Sequence, residues 1–63
     1  MKYQYYHWVA KFNQREFSGV MPAHKEDTPV ELHRRVRTKV CEMNHISELH
    51  LNDIVVSMLV EIE

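Results

Sequence analysis

The segment Tyr3–Phe12 places the strongest constraint on the fold, because it reads as a β-strand with apolar or aromatic groups on both faces. Most of its residues are aromatic or β-branched types that favour strands, and neither glycine nor proline interrupts it. Successive side chains of a strand point to opposite sides of the sheet. We expect the drier set to face the core, namely Tyr6, Trp8, Ala10 and Phe12. The opposite set is Tyr3, Tyr5, His7 and Val9.

A second strand is predicted over residues 16–22, after a short polar turn at residues 13–15. Gly19 within this strand indicates a bulge or a close approach of another group to the backbone. Pro22 has no N–H to donate to a neighbouring strand, so this strand is expected at the edge of the sheet.

The start of a helix is the clearest local signal in the chain. Thr28, Pro29 and Glu31 form a capping box with proline at the first helical position. The helix is predicted to run to about Asn44, where a left-handed residue ends it. One apolar stripe follows the helical period and is expected to face the sheet: Leu32, Val36, Val40 and Met43. Residues 45–52 read as a loop with one helical turn.

A third strand is predicted over residues 53–62, and strict alternation divides its side chains between two faces. The face expected to pack under the helix holds Ile54, Val56, Met58, Val60 and Ile62. The other face holds Val55, Ser57, Leu59 and Glu61. A strand this apolar is prone to aggregate if it lies at an edge. We therefore place it inside the sheet, paired with the first strand.

These elements predict one small α+β domain spanning residues 1–63. The expected architecture is a two-layer ββαβ domain, with a three-stranded antiparallel sheet of order 2-1-3 and one helix packed on one face. A single core at this length rarely supplies more than ~3–5 kcal/mol of stability, and self-association often adds to it.

One helix leaves the second face of the sheet uncovered, and this face is the predicted interaction site. It is expected to hold Tyr3, Tyr5, His7, Val9, Val55 and Leu59. A contiguous exposed apolar patch on a small protein usually marks an interaction site. We therefore expect a non-enzymatic interaction module that forms a homodimer and binds another protein through this aromatic face or a sheet edge.

The alternative is a small nucleic-acid-binding regulator that uses the sheet-face aromatics or the basic residues of the helix. The basic residues are Arg34, Arg35, Arg37 and Lys39. At ~100° per residue they do not form one stripe, and a solvated helix surface with i,i+4 ion pairs accounts for them better than a phosphate-binding site does. The formal net charge of −1 gives no global field toward nucleic acid, which makes this the second choice.

Cysteine and histidine do not form a recognised catalytic or metal motif. Cys41 and His45 lie four residues apart, but no paired-ligand spacing for zinc is present, and the thiol is expected at the surface. A metal-responsive module built on Cys41 and the histidines is a third, weaker hypothesis. The single glycine rules out a glycine-rich phosphate loop. We expect no enzymatic activity, no catalytic residues, no cofactor and no metal.

The sequence predicts a cytoplasmic protein without membrane contact. No apolar stretch of an export signal follows Lys2, and the longest uncharged apolar run, residues 54–60, is far shorter than the ~20 residues of a membrane span. One cysteine without a partner fits a reducing compartment.

Overall fold

The computed structural model describes residues 3–62 and confirms the predicted fold class. Strand β1 spans Tyr3–Phe12, β2 spans Arg15–His24, helix α1 spans Pro29–Asn44 and β3 spans Val55–Ile62. A 3₁₀ helix at Glu48–Asp53 is the helical turn expected between α1 and β3. The sheet has the order β2-β1-β3 with antiparallel neighbours, and α1 packs on one side of it. Residues 1, 2 and 63 of the predicted domain lie outside the described residues.

A two-residue turn joins β1 to β2 and sets the register of the hairpin. Asn13 and Gln14 have φ angles of 53° and 65°, and Phe12 pairs directly with Arg15. Positive φ at both central residues matches the right-handed twist of the flanking strands. Asparagine accepts this conformation readily, so the hairpin forms without the glycine that usually follows it.

Gly19 is required because the indole ring of Trp8 lies against its backbone. The two residues are cross-strand partners on the helix side of the sheet, and Trp8 is almost fully buried. A Cβ atom on residue 19 would lie 2.7 Å from Cζ2 and 3.0 Å from Cε2 of Trp8. The close approach expected from the sequence is therefore made by a side chain of the neighbouring strand.

Gly19→Ala is expected to destabilise the domain by about 1–3 kcal/mol, the usual cost of overpacking a core. The rigid indole must move, since the added methyl group lies inside the contact distance of two of its ring carbons. For a domain of this size each 1 kcal/mol lowers the melting temperature by about 4–8 °C, which circular dichroism measures directly. Ser18→Ala, at the exposed neighbouring position, is the control and should leave the melt unchanged. Equal melting temperatures for both variants would contradict this role of the glycine.

Helix α1 begins at the predicted capping box. The backbone N–H of Glu31 donates to Thr28 Oγ1 at 3.3 Å, and the backbone N–H of Thr28 donates to Glu31 Oε1 at 3.2 Å. The helix ends at Asn44, as predicted, but the left-handed residue is His45, with a φ of 56°, rather than Asn44. The chain changes direction at His45 and continues into the 3₁₀ helix.

The buried stripe of α1 differs from the expected one at its C-terminal end. Leu32, Val36 and Val40 are buried as expected, but Met43 is 60% exposed and Cys41 is buried in its place. The 3₁₀ segment explains the difference, because it folds back on the helix beside Cys41, whose Sγ lies 4.0 Å from the carbonyl oxygen of Ser47. The thiol expected at the surface therefore belongs to the core.

A β-bulge at Ser57 interrupts β3 and reverses which side chains point to each face of the sheet after it. Val9 pairs with Met58 and Ala10 pairs with Val56, so Ser57 has no residue opposite it in β1. Its hydroxyl donates to the carbonyl oxygen of Val9 at 3.2 Å. One inserted residue reverses the alternation of every side chain that follows it.

The bulge changes which residues of β3 face the helix. Leu59 is the cross-strand partner of Trp8 and packs against the core. Met58 and Val60 are the partners of Val9 and His7, which places them on the uncovered side. Strict alternation therefore predicted the wrong face for these three residues, and for Ile62, whereas Val55 and Val56 lie where they were expected.

Strand β3 is an outer strand of the sheet, in agreement with the predicted order 2-1-3, although its apolar sequence favoured an interior position. It pairs with β1 on one side only, and within residues 3–62 its second edge has no partner strand. Strand β2 forms the opposite edge, as Pro22 predicts. The bulge at Ser57 lies in the outer strand, a place where bulges are common because they disrupt unwanted edge pairing.

Candidate interaction face

The sheet has one side turned away from α1, which we call the open face. The register of the three strands places five residues of β1 on it, from Tyr3 to Lys11 at every second position. Both neighbouring strands supply partners for the rows from Tyr5 to Lys11, and β2 alone supplies the partner of Tyr3. The apolar or ring-bearing members of the open face are Tyr3, Tyr5, His7, Val9, Val20, Pro22, His24, Val55, Met58, Val60 and Ile62.

Large apolar side chains on the open face are half exposed. Six of them retain between 44% and 60% of their accessible surface: Tyr3, Tyr5, Val20, Val55, Val60 and Ile62. Only three other large apolar side chains among residues 3–62 are exposed, and those lie apart from one another on the helical segments: Val30, Met43 and Leu49. Exposed apolar surface is therefore concentrated on this one side of the molecule.

The structure brings five of the six residues predicted for this face together. Tyr3, Tyr5, His7, Val9 and Val55 lie on the open face, and Leu59 lies on the other side of the sheet. Sequence reasoning missed two groups of residues, Val20 and Pro22 from β2 and the residues Met58, Val60 and Ile62 of β3. The β2 pair follows from the hairpin register alone, whereas the β3 group depends on the bulge.

Charged groups lie at the ends of the open face rather than at its centre. Lys11 and Glu16 are cross-strand partners near the hairpin turn. At the other end the ring of His24 lies against Tyr3, with 4.8 Å between ring centroids. His7 is the one titratable group within the apolar centre apart from the tyrosines. The open face therefore has an apolar centre and a polar rim, which is the arrangement of many protein interfaces.

Arg35 contacts both the end of β2 and the connection between β2 and α1. Its Nη1 donates to Asp27 Oδ2 at 3.1 Å and to the carbonyl oxygen of Pro22 at 3.5 Å. The backbone N–H of His24 also donates to Asp27 Oδ2, at 2.9 Å. This backbone hydrogen bond, followed by the bond from Arg35, holds the pKa of the Asp27 carboxyl below its ordinary value.

The four basic residues of the helix do not form one surface. Arg35 and Lys39 lie beside the outer edge of β2, where they line a groove with Val20, Met21 and Pro22. Arg34 lies on the solvent side of the helix, and Arg37 is partly buried. Phosphate binding by a helix needs several free cations on one side. The arrangement does not favour nucleic acid, which stays an untested prediction.

Cys41 has the surroundings of a core residue. Burial raises the pKa of its thiol, and the carboxylates of Glu48 and Glu42 raise it further. A thiol nucleophile or a zinc ligand needs the opposite shift, toward the thiolate. Within residues 3–62 no group of three or more His, Cys, Asp or Glu side chains is placed to hold a metal ion.

The longest helix among the described residues, α1, is neither long nor apolar enough to cross a membrane. Neither the known protein-family models, nor the curated proteins, nor the solved structures match this chain.

Proposed function

We propose that this chain is a non-enzymatic protein-interaction module that forms a homodimer by packing its open face against the open face of a second copy. The observation that carries the proposal is the row of six half-exposed large apolar side chains on one side of the sheet. Contiguous patches of this kind on a small protein mark interaction sites. The reducing interior of the cytoplasm is the proposed location, since a free buried thiol fits it.

The accessible surface of the chain supports a second copy as the partner. It amounts to 4826 Å², whereas a compact monomer of 7.6 kDa exposes about 4,300 Å². Covering roughly 500 Å² on each of two copies would bury about 1,000 Å² in total, which is the lower bound for a specific interface. An open face that contributes this area on each copy is therefore large enough for a small dimer.

The thin core supports the same proposal. Val36 and Val40 are the largest side chains that are fully buried, and all of the core lies between the sheet and one helix. Two sheets stack face to face at a separation of about 10 Å, with their side chains interdigitated. Stacking about a two-fold axis would give the chain a second apolar layer from a surface that matches itself.

Tyr5→Glu is expected to abolish self-association while preserving the fold. Tyr5 is 53% exposed at the centre of the open face, so a carboxylate there remains hydrated in the monomer and is desolvated in the dimer. The measurement is solution mass by light scattering after size exclusion, over a range of concentrations. Wild-type protein should approach twice the monomer mass, and Tyr5→Glu should stay monomeric with an unchanged far-ultraviolet circular dichroism spectrum.

Leu49→Glu is the matched control, because Leu49 is 91% exposed on the 3₁₀ helix and away from the open face. It should dimerise like the wild type. A wild-type protein that stays monomeric, or a Tyr5→Glu variant that still dimerises, would contradict the proposed interface. A wild-type monomer that binds oligonucleotides in low salt and loses them in high salt would instead support the nucleic-acid alternative.

A further inference from the structure

His7 occupies the middle of the open face in both directions. It lies on the central strand, and its cross-strand partners are Val20 and Val60. Along β1 its neighbours on the same side are Tyr5 and Val9. The half-buried imidazole is therefore enclosed by apolar or aromatic side chains on all four sides.

No charged group faces His7 from any of the three strands. The diagonal positions hold Ser18, Pro22, Met58 and Ile62, none of which titrates. The charged pair Lys11 and Glu16 and the second titratable imidazole, His24, lie two rows away, or about 13 Å along the strands. Helix α1 packs on the opposite side of the sheet, and its cations Arg35 and Lys39 reach the outer edge of β2 beside Val20 and Pro22, where they add no negative charge.

A neutral imidazole can be covered by apolar groups, but an imidazolium without an anionic partner is strongly disfavoured there. In a two-fold arrangement of open faces, the central residue of one copy lies near the same residue of the other. Protonation would then place two like charges close together in a dry interface. Among residues 3–62 no carboxylate of the open face lies beside His7 to compensate them.

We propose that His7 makes the self-association dependent on pH, with the dimer formed while both imidazoles are neutral and dissociated once they are protonated. This inference rests on the proposed function, since it concerns the regulation of the same surface. Histidine is the side chain whose charge changes between pH 5 and 8, so the transition falls in a range that cells reach.

The sign and the size of the effect follow from proton linkage. Dimerisation excludes the protonated form, so each copy must release its proton before it associates, and the dimer is lost as the pH falls. Two protons are excluded per dimer, so the dissociation constant rises with acidification by up to about 100-fold per pH unit once both imidazoles are protonated in the monomers.

The test is to measure the dimer dissociation constant by sedimentation at pH 7.5, 6.5 and 5.5 for the wild type and three variants. His7→Asn and His7→Leu are neutral at every pH and should change by less than about 3-fold, whereas the wild type should weaken by more than about 10-fold. His24→Asn is the matched control on the same face and should follow the wild type. A His7→Leu dimer that persists at pH 5.5 also shows that acid does not unfold the chain.

A wild-type dimer with the same dissociation constant at all three pH values would overturn the role of His7 and leave the proposed dimer in place. The role of His7 would also be overturned if His24→Asn lost the pH dependence while both His7 variants kept it. A wild type that is monomeric at pH 7.5 would overturn the proposed function and this inference with it.

Discussion

Val36→Asp is expected to unfold the domain at 25 °C. Val36 has no exposed surface and lies in the middle of the helix stripe that packs on the sheet. A carboxylate at this position would be buried without a partner, at a cost of about 4 kcal/mol or more. A core of this size supplies only ~3–5 kcal/mol, so the substitution removes most or all of the stability. The measurement is the far-ultraviolet circular dichroism spectrum and its urea dependence.

Val30→Asp is the control, since it makes the same substitution on the same helix. Val30 is 76% exposed in the first turn, where a negative charge interacts favourably with the helix dipole. Its free energy of unfolding should lie within about 0.5 kcal/mol of the wild type. A Val36→Asp protein that still unfolds cooperatively in urea would show that α1 does not pack as described.

Local sequence signals predicted the elements because each has a local physical cause. The Thr28 capping box places the start of α1 by its own hydrogen bonds, and Pro29 has no N–H to lose there. The uninterrupted aromatic run of Tyr3–Phe12 predicts a strand, and its apolar character on both faces predicts the central position it takes in the sheet. Pro22 predicts that β2 is an edge strand, because proline has no backbone N–H to donate to a neighbouring strand.

The errors arose where the conformation depends on contacts that are distant in sequence. The bulge at Ser57 depends on the pairing of β3 with β1, which lies about fifty residues away along the chain. A serine in a continuous apolar strand is a weak sign of it. Cys41 is buried instead of Met43 because the 3₁₀ segment folds back over α1 beside Cys41. Helical periodicity alone only weakly favours burial of either residue.

The bulge also determines the chemistry of the candidate site. With strict alternation, β3 would present Ser57 and Glu61 on the open face, both of them polar. With the bulge it presents Met58, Val60 and Ile62, and Glu61 faces the other way as the partner of Tyr6. The open face is therefore more apolar than the sequence predicted, and a face without a carboxylate beside His7 is what the inferred pH dependence requires.

Leu59→Glu and Val60→Glu are expected to have opposite effects, although the two residues are adjacent. Leu59 packs against the buried core beside Trp8, so a carboxylate there should lower the free energy of unfolding by about 2–4 kcal/mol. Val60 is 51% exposed on the open face, so its substitution should change the stability of the monomer by less than about 0.5 kcal/mol. It should instead prevent self-association, as Tyr5→Glu does.

Urea denaturation at a protein concentration low enough to keep the chain monomeric measures the first effect, and light scattering at high concentration measures the second. Strict alternation along β3 predicts the reverse result, with an unstable Val60→Glu and a stable Leu59→Glu. The pair therefore tests the bulge directly, because a single inserted residue is all that separates the two outcomes. If Val60→Glu is the less stable variant, β3 has no bulge at Ser57, and the open face must be reassigned with Leu59 in it.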